Sequence, residues 1–233
     1  MQETFRLFGI TPASVRVILE EGAILQRVSD LAEEWPYLNL VLSGPRQTWG
    51  AAFKKLEPYI IGTHLADRIV HPVHRLLCAR KITLALAESC TGGMISASLT
   101  DLPGSSEYLL GGVVAYSNAA KIELLQVEAQ VISEKGAVSI ECAEQMAVGA
   151  RKVFHSDAAV SVTGVAGPAG GSVEKPVGTF CVGFSTAKLK KSFRFIYPGD
   201  RQQVRTFAGA MALDVLRRWL EDLPLDNFLG QSS

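Results

Sequence analysis

The sequence predicts an α/β protein, namely a layered sandwich with a mixed sheet, preceded by a small α+β domain. From His64 onward, short apolar segments alternate with amphipathic helical stretches, an order typical of a sheet covered by helices. Later apolar segments follow one another with little helix between them, which predicts a mixed rather than an all-parallel sheet. The first sixty residues lack this alternation. We therefore place the domain boundary at Gly62-Thr63 and expect domains over 1–62 and 63–233.

Two strands and two helices are predicted in the smaller domain. Thr4–Phe8 alternates like a half-buried strand, and Leu38–Leu42 has the composition of a second strand. A helix is expected to open at Thr11-Pro12, because proline is favoured in the first helical turn, and its apolar stripe extends as far as Leu31. Apolar residues from Trp49 to Ile60 predict a second helix.

The larger domain contains five predicted strands: Thr83–Ala87, Gly112–Tyr116, Ala158–Val162, Gly178–Phe184 and Lys191–Ile196. Helices separate most of them. Ser117-Asn118 and Ser139 are expected to begin two of these helices, because their side-chain oxygens can accept hydrogen bonds from the free N–H groups of a first turn. Arg201–Leu220 predicts one long C-terminal helix.

Composition excludes several classes of protein. The chain has 23 basic and 23 acidic residues, and this balance gives no support to a nucleic-acid binder, which usually carries a basic excess. No apolar segment approaches the ~20 residues that a membrane helix needs. None of the four cysteines forms a C-x-x-C pair, and His71 and His74 have no third ligand nearby in sequence, so a metal site is not expected. We expect a soluble cytoplasmic protein that acts without a membrane.

The segment Ala87–Gly93 is the first candidate for chemistry, because it lies at a strand-to-helix turn. Such a turn exposes a side chain at the sheet edge and directs free backbone N–H groups at one point, as a nucleophile with an oxyanion hole requires. Ser89 is the candidate nucleophile. The segment is not the G-x-S-x-G elbow, since Ala87 and Thr91 replace its glycines. The alternatives are that Ser89 or Thr91 only caps the helix, or that Cys90 acts as a thiol nucleophile.

The segment Tyr116–Lys121 is the second candidate. Tyr116 ends a predicted strand and is expected at the same sheet edge as Ser89. Lys121 falls near the start of the next helix, where a cation is unfavourable against the helix dipole. A desolvated lysine has a lowered pKa, and a neutral lysine can take the proton of a serine. The alternative is an ordinary exposed lysine.

Glycine-rich and basic segments are the remaining candidates. The glycines of Gly164–Gly171 allow close backbone approach to a ligand such as a phosphate, although neither a P-loop nor a dinucleotide fingerprint is present. Arg201, with Arg205 one turn later, could bind a phosphate at the start of the last helix. The alternatives are a plain loop and surface ion pairs.

Taken together, these segments resemble the CinA C-terminal domain, the nicotinamide-nucleotide amidase family, over about residues 70–220. The motifs that carry the resemblance are Ala87–Gly93, Pro103–Ser106, Gly111–Asn118 with Lys121, Gly136–Ser139, Thr163–Pro168 with Gly170-Gly171, Lys175–Gly178 and Pro198–Arg201. The resemblance implies a three-layer α/β/α sandwich. It also implies hydrolysis of nicotinamide mononucleotide to nicotinic acid mononucleotide and ammonia, without a metal or other cofactor.

The same resemblance assigns roles to individual residues. Ser89 matches the nucleophile, Lys121 the general base, and Tyr116 a hydroxyl between them. The expected substrate-binding residues are Cys90, Thr91, Gly92, Thr163, Gly164, Gly167 and Arg201. A homo-oligomer is expected. The competing hypotheses are a different amidase, and a catalytically weak binding or competence/damage-associated module that retains the fold.

Residues 1–62 resemble the KH-related middle segment of full-length CinA proteins. True KH domains clamp nucleic acid with a G-x-x-G loop. Here Gly44-Pro45-Arg46-Gln47 lacks the second glycine, so nucleic acid is not an expected partner.

Overall fold

The computed structural model describes residues 2–225 and residue 228. The chain forms two compact units, which we describe separately. One contains the N-terminal part as far as Pro72 together with a C-terminal segment that starts at Asp222, and the other runs from Val73 to Glu221. The boundary inferred at Gly62-Thr63 stays a prediction. Within the described residues, no helix is both long and apolar enough to cross a bilayer.

The N-terminal unit contains a four-stranded antiparallel sheet with the order β2-β3-β1-β4. Its elements are β1 (Gln2–Phe8), α1 (Pro12–Glu21), β2 (Val28–Glu34), β3 (Tyr37–Ser43), α2 (Gly50–Leu56) and β4 (Ile60–Gly62). Alternate residues of β1 and β3, such as Phe5, Leu7 and Leu40, share one core with Leu19 of α1 and Trp49 before α2. The two helices therefore cover one face of the sheet. A KH relationship for this unit stays a prediction.

Two predictions for this unit were wrong. The apolar stripe from Thr11 to Leu31 is not one helix, because α1 ends at Glu21 and Ala23 has a positive φ of 54°. Leu31 lies in β2 instead, opposite Leu40 of β3. Ile60 likewise begins β4 rather than extending α2. The apolar residues in this region fit the period of a helix as well as that of a strand, and pairing with neighbouring strands decides between the two.

The second unit contains a five-stranded mixed sheet with the order β6-β5-β7-β8-β9. Its strands are β5 (Leu84–Glu88), β6 (Leu109–Val114), β7 (Ala158–Gly164), β8 (Thr179–Thr186) and β9 (Lys190–Ile196). The central strand β5 runs parallel to both β6 and β7, whereas β8 is antiparallel to β7 and to β9. The predicted mixed sheet is confirmed. Strand β6 begins and ends earlier than predicted, so Tyr116 lies beyond it.

Helices cover both faces of this sheet and make the predicted three-layer sandwich. They are α4 (Met94–Thr100), α5 (Asn118–Leu125), α6 (Ala129–Lys135), α7 (Ile140–Phe154) and α8 (Arg201–Leu220); α3 (Val70–Arg80) spans the division between the units. Ala85 and Ala87 of β5 share a core with Cys142 and Met146 of α7. Glu88, on the opposite face of β5, is hydrogen-bonded to α4, and α8 packs against α4, β7 and β8.

This topology gathers three strand ends at one edge of the sheet. Because β5, β6 and β7 are parallel, their carboxyl ends point the same way, and the segments that follow them meet there. In open α/β sheets this edge is where ligands bind. The residues that follow are Ser89 after β5 and Ala115 after β6, while Gly164 ends β7.

Candidate active site

Ser89 lies immediately after β5 in a tight turn that leads into α4. Its backbone N–H donates to the Val162 carbonyl of β7 at 2.9 Å, and its carbonyl accepts from the Gly92 N–H at 3.0 Å. Gly92 and Gly93 have φ values of 61° and 91°, a region that side chains with a Cβ adopt only with strain. The glycines therefore let the chain turn sharply and place the buried Ser89 side chain at the sheet edge.

Lys121 reaches Ser89 from α5. The predicted cap of this helix is confirmed, since Ser117 accepts a hydrogen bond from the Ala120 N–H at 3.0 Å. The Lys121 Nζ lies 3.0 Å from the Ser89 Oγ and donates to the Ala115 carbonyl at 2.8 Å. Lys121 is only 2% exposed. The structure thus brings together the two residues that the sequence predicted as nucleophile and base.

Burial shifts the pKa of this lysine. Among the ion pairs between described residues, none involves Lys121, so no carboxylate compensates its charge. Desolvation consequently lowers the pKa of the Lys121 ammonium from its usual 10.5. The Ala115 carbonyl holds one amine proton, and the Ser89 hydroxyl occupies a second position around the nitrogen. A neutral Lys121 can therefore direct its lone pair at the serine proton.

Tyr116 does not occupy its predicted place between Ser89 and Lys121. The direct contact between these two residues leaves no intervening hydroxyl, and Tyr116 is 61% exposed. Its hydroxyl accepts a hydrogen bond from Arg201 at 3.1 Å. Arg201 also donates to the Gly167 carbonyl at 2.8 Å. The pair therefore links the segment after β6 to the glycine-rich segment after β7.

The two predicted binding residues of β7, Gly164 and Thr163, differ from each other in their surroundings. Gly164 passes so close to the Ser89 turn that an added Cβ would lie 3.0 Å from the Cys90 sulfur and 2.7 Å from the Phe180 Cβ. A side chain would therefore press on both β8 and the Cys90 sulfur. Thr163 is buried, and its hydroxyl donates to the Ala137 carbonyl at 2.8 Å, which joins β7 to the segment before α7. The roles of both residues in substrate binding stay predictions.

Cys90 follows Ser89 but is poorly suited to act as a nucleophile. The residue is buried, and burial raises the pKa of its thiol to about 12. The thiolate is the reactive form of cysteine, so this side chain is almost entirely unreactive at neutral pH. The arrangement favours Ser89 over the alternative of a thiol enzyme.

Glu88 is a site residue that the sequence analysis missed. Its buried carboxylate accepts hydrogen bonds from the backbone N–H groups of Gly93, Ile95 and Ser96 at 3.0, 3.1 and 2.8 Å, and from the Ser96 hydroxyl at 2.7 Å. It therefore satisfies the free N–H groups at the start of α4, where a negative charge is also favoured by the helix dipole. An acid at a strand end, followed by Gly-Gly, was the available signal.

We expect Glu88→Gln to lower the free energy of unfolding by about 1–3 kcal/mol, because an amide has one acceptor oxygen and would leave buried donors unpaired. Denaturant unfolding followed by circular dichroism measures this change. Glu123→Gln, which alters an exposed carboxylate on α5, is the matched control and should stay within about 0.5 kcal/mol of wild type. Equal losses in the two variants would refute the capping role.

Arg205 does not lie where the predicted phosphate contact would need it. Its Nε donates to the Cys90 carbonyl at 3.0 Å, and its second guanidinium nitrogen donates to the Thr91 carbonyl at 2.9 Å. This arginine of α8 therefore binds the turn that carries Ser89. Among the residues described, no group of three or more histidine, cysteine, aspartate or glutamate side chains could hold a metal ion.

Comparison with known proteins shows to which family this part of the chain belongs. The family model described as the CinA C-terminal domain matches residues 66–220, which include Ser89, Lys121, Arg201 and Arg205. The chain belongs to the CinA family. It is 43% identical over 231 residues to a CinA-like protein of Citrifermentans bemidjiense, covering 93% of this chain and 54% of that relative. With a CinA-like protein of Syntrophotalea carbinolica it shares 37% identity, covering 95% and 56%.

Solved CinA structures share the fold. A CinA superfamily protein from Klebsiella pneumoniae superposes with a TM-score of 0.64 at 32% identity, covering 66% of this chain and 96% of that one. A competence/damage-inducible protein from Agrobacterium tumefaciens gives a TM-score of 0.61 at 33% identity, covering 68% and 99%. The chain thus spans slightly more than half the length of the curated CinA relatives named above.

Proposed function

We propose that this CinA-family chain is a nicotinamide-nucleotide amidase, which hydrolyses nicotinamide mononucleotide to nicotinic acid mononucleotide and ammonia and so recycles pyridine nucleotides. The observation that carries the proposal is the 3.0 Å contact between the Lys121 Nζ and the Ser89 Oγ, in a buried setting where no carboxylate of the described residues pairs with the lysine. A purely structural lysine would gain nothing from a desolvated amine next to a serine hydroxyl. A serine nucleophile with a neutral amine base needs this arrangement.

The first step forms an acyl-enzyme. The Ser89 Oγ attacks the carboxamide carbon, and its proton passes to the Lys121 Nζ, which becomes an ammonium. The carbonyl oxygen of the amide then carries a negative charge. The N–H groups of Cys90 and Thr91 donate to no backbone carbonyl in the described part of the chain. The Cys90 N–H lies against its own sulfur, whereas the Thr91 N–H is free to stabilise this oxyanion, a contribution that is commonly the largest in acyl transfer.

Collapse of the tetrahedral intermediate breaks the carbon–nitrogen bond. Lys121 returns its proton to the departing nitrogen, which leaves as ammonia, and its amine is neutral again. A water molecule then attacks the ester carbon with Lys121 as base, and the second collapse releases the carboxylate and restores the Ser89 hydroxyl. One lysine thus serves as base and acid in turn.

We assign recognition of the remainder of the nucleotide to Arg201 and Tyr116. They stand on separate segments at the edge where Ser89 lies, and Arg201 is an exposed residue. Guanidinium groups bind phosphate with paired hydrogen bonds. We therefore assign the substrate phosphate to Arg201, with Tyr116 beside it rather than in the proton path.

The test is to incubate the purified chain with nicotinamide mononucleotide and to measure ammonia release together with the formation of nicotinic acid mononucleotide by chromatography. The Ser89→Ala protein serves as the blank. Release above this blank, in equal amounts of both products, supports the proposal. Saturable binding of the nucleotide without any release would instead favour the binding-module hypothesis and refute the amidase.

Cys90→Ala is expected to keep turnover within about threefold of wild type, because the protonated thiol takes no part in the reaction and the lost sulfur leaves only a small cavity. Initial rates of ammonia release, with thermal melting as the control for folding, measure this. A loss of several orders of magnitude in a folded Cys90→Ala protein would show that the thiol performs the chemistry.

A further inference from the structure

The guanidinium of Arg205 binds two successive carbonyls of the turn that follows Ser89, those of Cys90 and Thr91. We propose that Arg205 is a positioning residue that holds the peptide between Cys90 and Thr91 with its N–H directed at the oxyanion. The inference rests on the proposed amidase function, since it assigns a part of the same site. Arg205 itself does not contact the reacting atoms in this role.

Peptide geometry connects the carbonyls to the oxyanion hole. In a planar trans peptide the C=O and the following N–H point in opposite directions. When Arg205 holds the Cys90 carbonyl, the Thr91 N–H must point away from Arg205. In the same way, its bond to the Thr91 carbonyl fixes the next N–H, and that of Gly92 does donate to the Ser89 carbonyl at 3.0 Å. The Thr91 N–H remains as a free donor within the described residues.

The peptide between Cys90 and Thr91 needs an external restraint, because the hydrogen bonds within the turn do not involve it. Gly92 and Gly93 follow it directly and can adopt many backbone conformations, so the chain after Thr91 restrains this peptide little. Rotation of the Cys90–Thr91 peptide would replace the N–H at the oxyanion by a carbonyl oxygen, and like charges would then repel. The only backbone donor that reaches either held carbonyl in the described chain is the Met94 N–H, at 3.3 Å from the Thr91 oxygen. Arg205 is therefore the main constraint on the Cys90 carbonyl.

The fork of a guanidinium suits this task better than any other side chain. Two of its nitrogens bind two neighbouring carbonyls at once and in fixed relative directions. The helix α8 carries it rigidly, because the Asp200 carboxylate and the Gln203 side chain form a capping box at its start. The positive charge of Arg205 also acts on the turn, where it opposes the effect of burial on the pKa of Cys90. The same field stabilises an oxyanion beside it.

The experiment compares Arg205→Ala and Arg205→Lys with wild type in two assays. In the first, nicotinamide mononucleotide is the substrate. Loss of one oxyanion donor lowers kcat by about 10²- to 10³-fold, so we expect a fall of this size in Arg205→Ala with KM within about threefold. Arg205→Lys should fall less, since one ammonium can hold only one carbonyl. Added guanidinium ions should restore part of kcat in Arg205→Ala and none in Arg205→Lys.

The second assay does not depend on the identity of the substrate. A fluorophosphonate reacts with an active serine: the Ser89 Oγ forms a bond to phosphorus, fluoride leaves, and the serine proton passes to Lys121. Its phosphonyl oxygen occupies the oxyanion hole, so the rate of labelling of Ser89 should fall in Arg205→Ala by a factor similar to that for kcat. Gln202→Ala, an exposed change on the same helix, is the control and should label at the wild-type rate.

The outcomes separate the two proposals. Slowed labelling in Arg205→Ala, with no deamidation by wild type, supports the positioning role and refutes nicotinamide mononucleotide as the substrate. Unchanged labelling and kcat, with a raised KM, would overturn the positioning role and make Arg205 a substrate anchor. Circular dichroism shows whether each variant folds. If Arg205→Ala does not fold, the test rests on Arg205→Lys: wild-type kcat and labelling in the folded Arg205→Lys protein would overturn the positioning role as well. If Ser89 of the wild-type protein is never labelled, both the positioning role of Arg205 and the Ser/Lys mechanism are overturned.

Discussion

Ser89→Ala is expected to lower kcat for nicotinamide mononucleotide by about 10⁴-fold or more, the range seen when a serine nucleophile is removed from a hydrolase site. The alanine has no atom that can form the ester, and Cys90 cannot substitute because burial raises its thiol pKa to about 12. Stability should change little, because the hydroxyl is bonded to Lys121 alone among the described side chains. Rates of ammonia release and denaturant unfolding measure the two effects.

The control for this change is Ser98→Ala on α4. The Ser98 hydroxyl donates to the Ile95 carbonyl of its own helix at 2.8 Å, so its removal should leave turnover near wild type. Acid quenching during turnover, followed by mass spectrometry, should find the acyl group on the peptide that contains Ser89. Turnover of Ser89→Ala within tenfold of wild type, or an acyl group on another residue, would contradict the nucleophile assignment.

Much of the larger unit could be predicted because its signals are local. The capping serines Ser117 and Ser139 are confirmed, since a cap depends only on the three residues that follow it. The apolar segments gave all five strands of the sheet to within a few residues at each end. Parallel strand ends then meet at one edge, so the proximity of Ser89 and Lys121 followed from topology, although their separation in sequence is 32 residues.

Features that depend on distant partners were beyond the sequence. Residues 28–31 fit a helix as well as a strand, and only β3 beside them decides in favour of β2. The direction of the Tyr116 side chain depends on where β6 ends and on Arg201, which is 85 residues away. Arg205 binds a carbonyl 115 residues before it, and no local pattern indicates such a contact. Tyr116, Arg201 and Arg205 were singled out from the sequence, but the residues that they contact were not predicted.

Lys121 should give the second large effect, through its protonation state. As a base it must be neutral, and kcat/KM reports the free enzyme. Because desolvation lowers its pKa from 10.5, the neutral fraction at a given pH is larger than that of an exposed lysine. kcat/KM should therefore fall tenfold for each unit by which pH drops below this lowered pKa, and should reach a plateau above it. A profile that is flat down to pH 5 would contradict a lysine base.

The folded protein should respond to pH in the same direction. The unfolded chain binds a proton at Lys121 up to its ordinary pKa of 10.5, whereas the folded chain releases it earlier. Between the two pKa values the unfolded state holds more protons, so the contribution of Lys121 to stability rises with pH in that window. The difference in unfolding free energy between wild type and Lys121→Met should shift accordingly as pH increases.

Substitution of Lys121 separates a base from an anchor. Lys121→Arg keeps the positive charge but cannot release a proton at usable pH, so we expect kcat to fall by about 10³-fold or more. Lys121→Met removes the amine with similar volume and should be equally inactive while it still folds. Lys152→Arg, an exposed change on α7, is the matched control and should keep wild-type kinetics.

If Lys121 only attracted the substrate phosphate, Lys121→Arg would retain kcat and show its defect in KM. The buried contact with the Ser89 hydroxyl argues against that reading, because an anchor for a phosphate needs a charged and accessible group, and Lys121 is neither accessible nor favoured in its charged form.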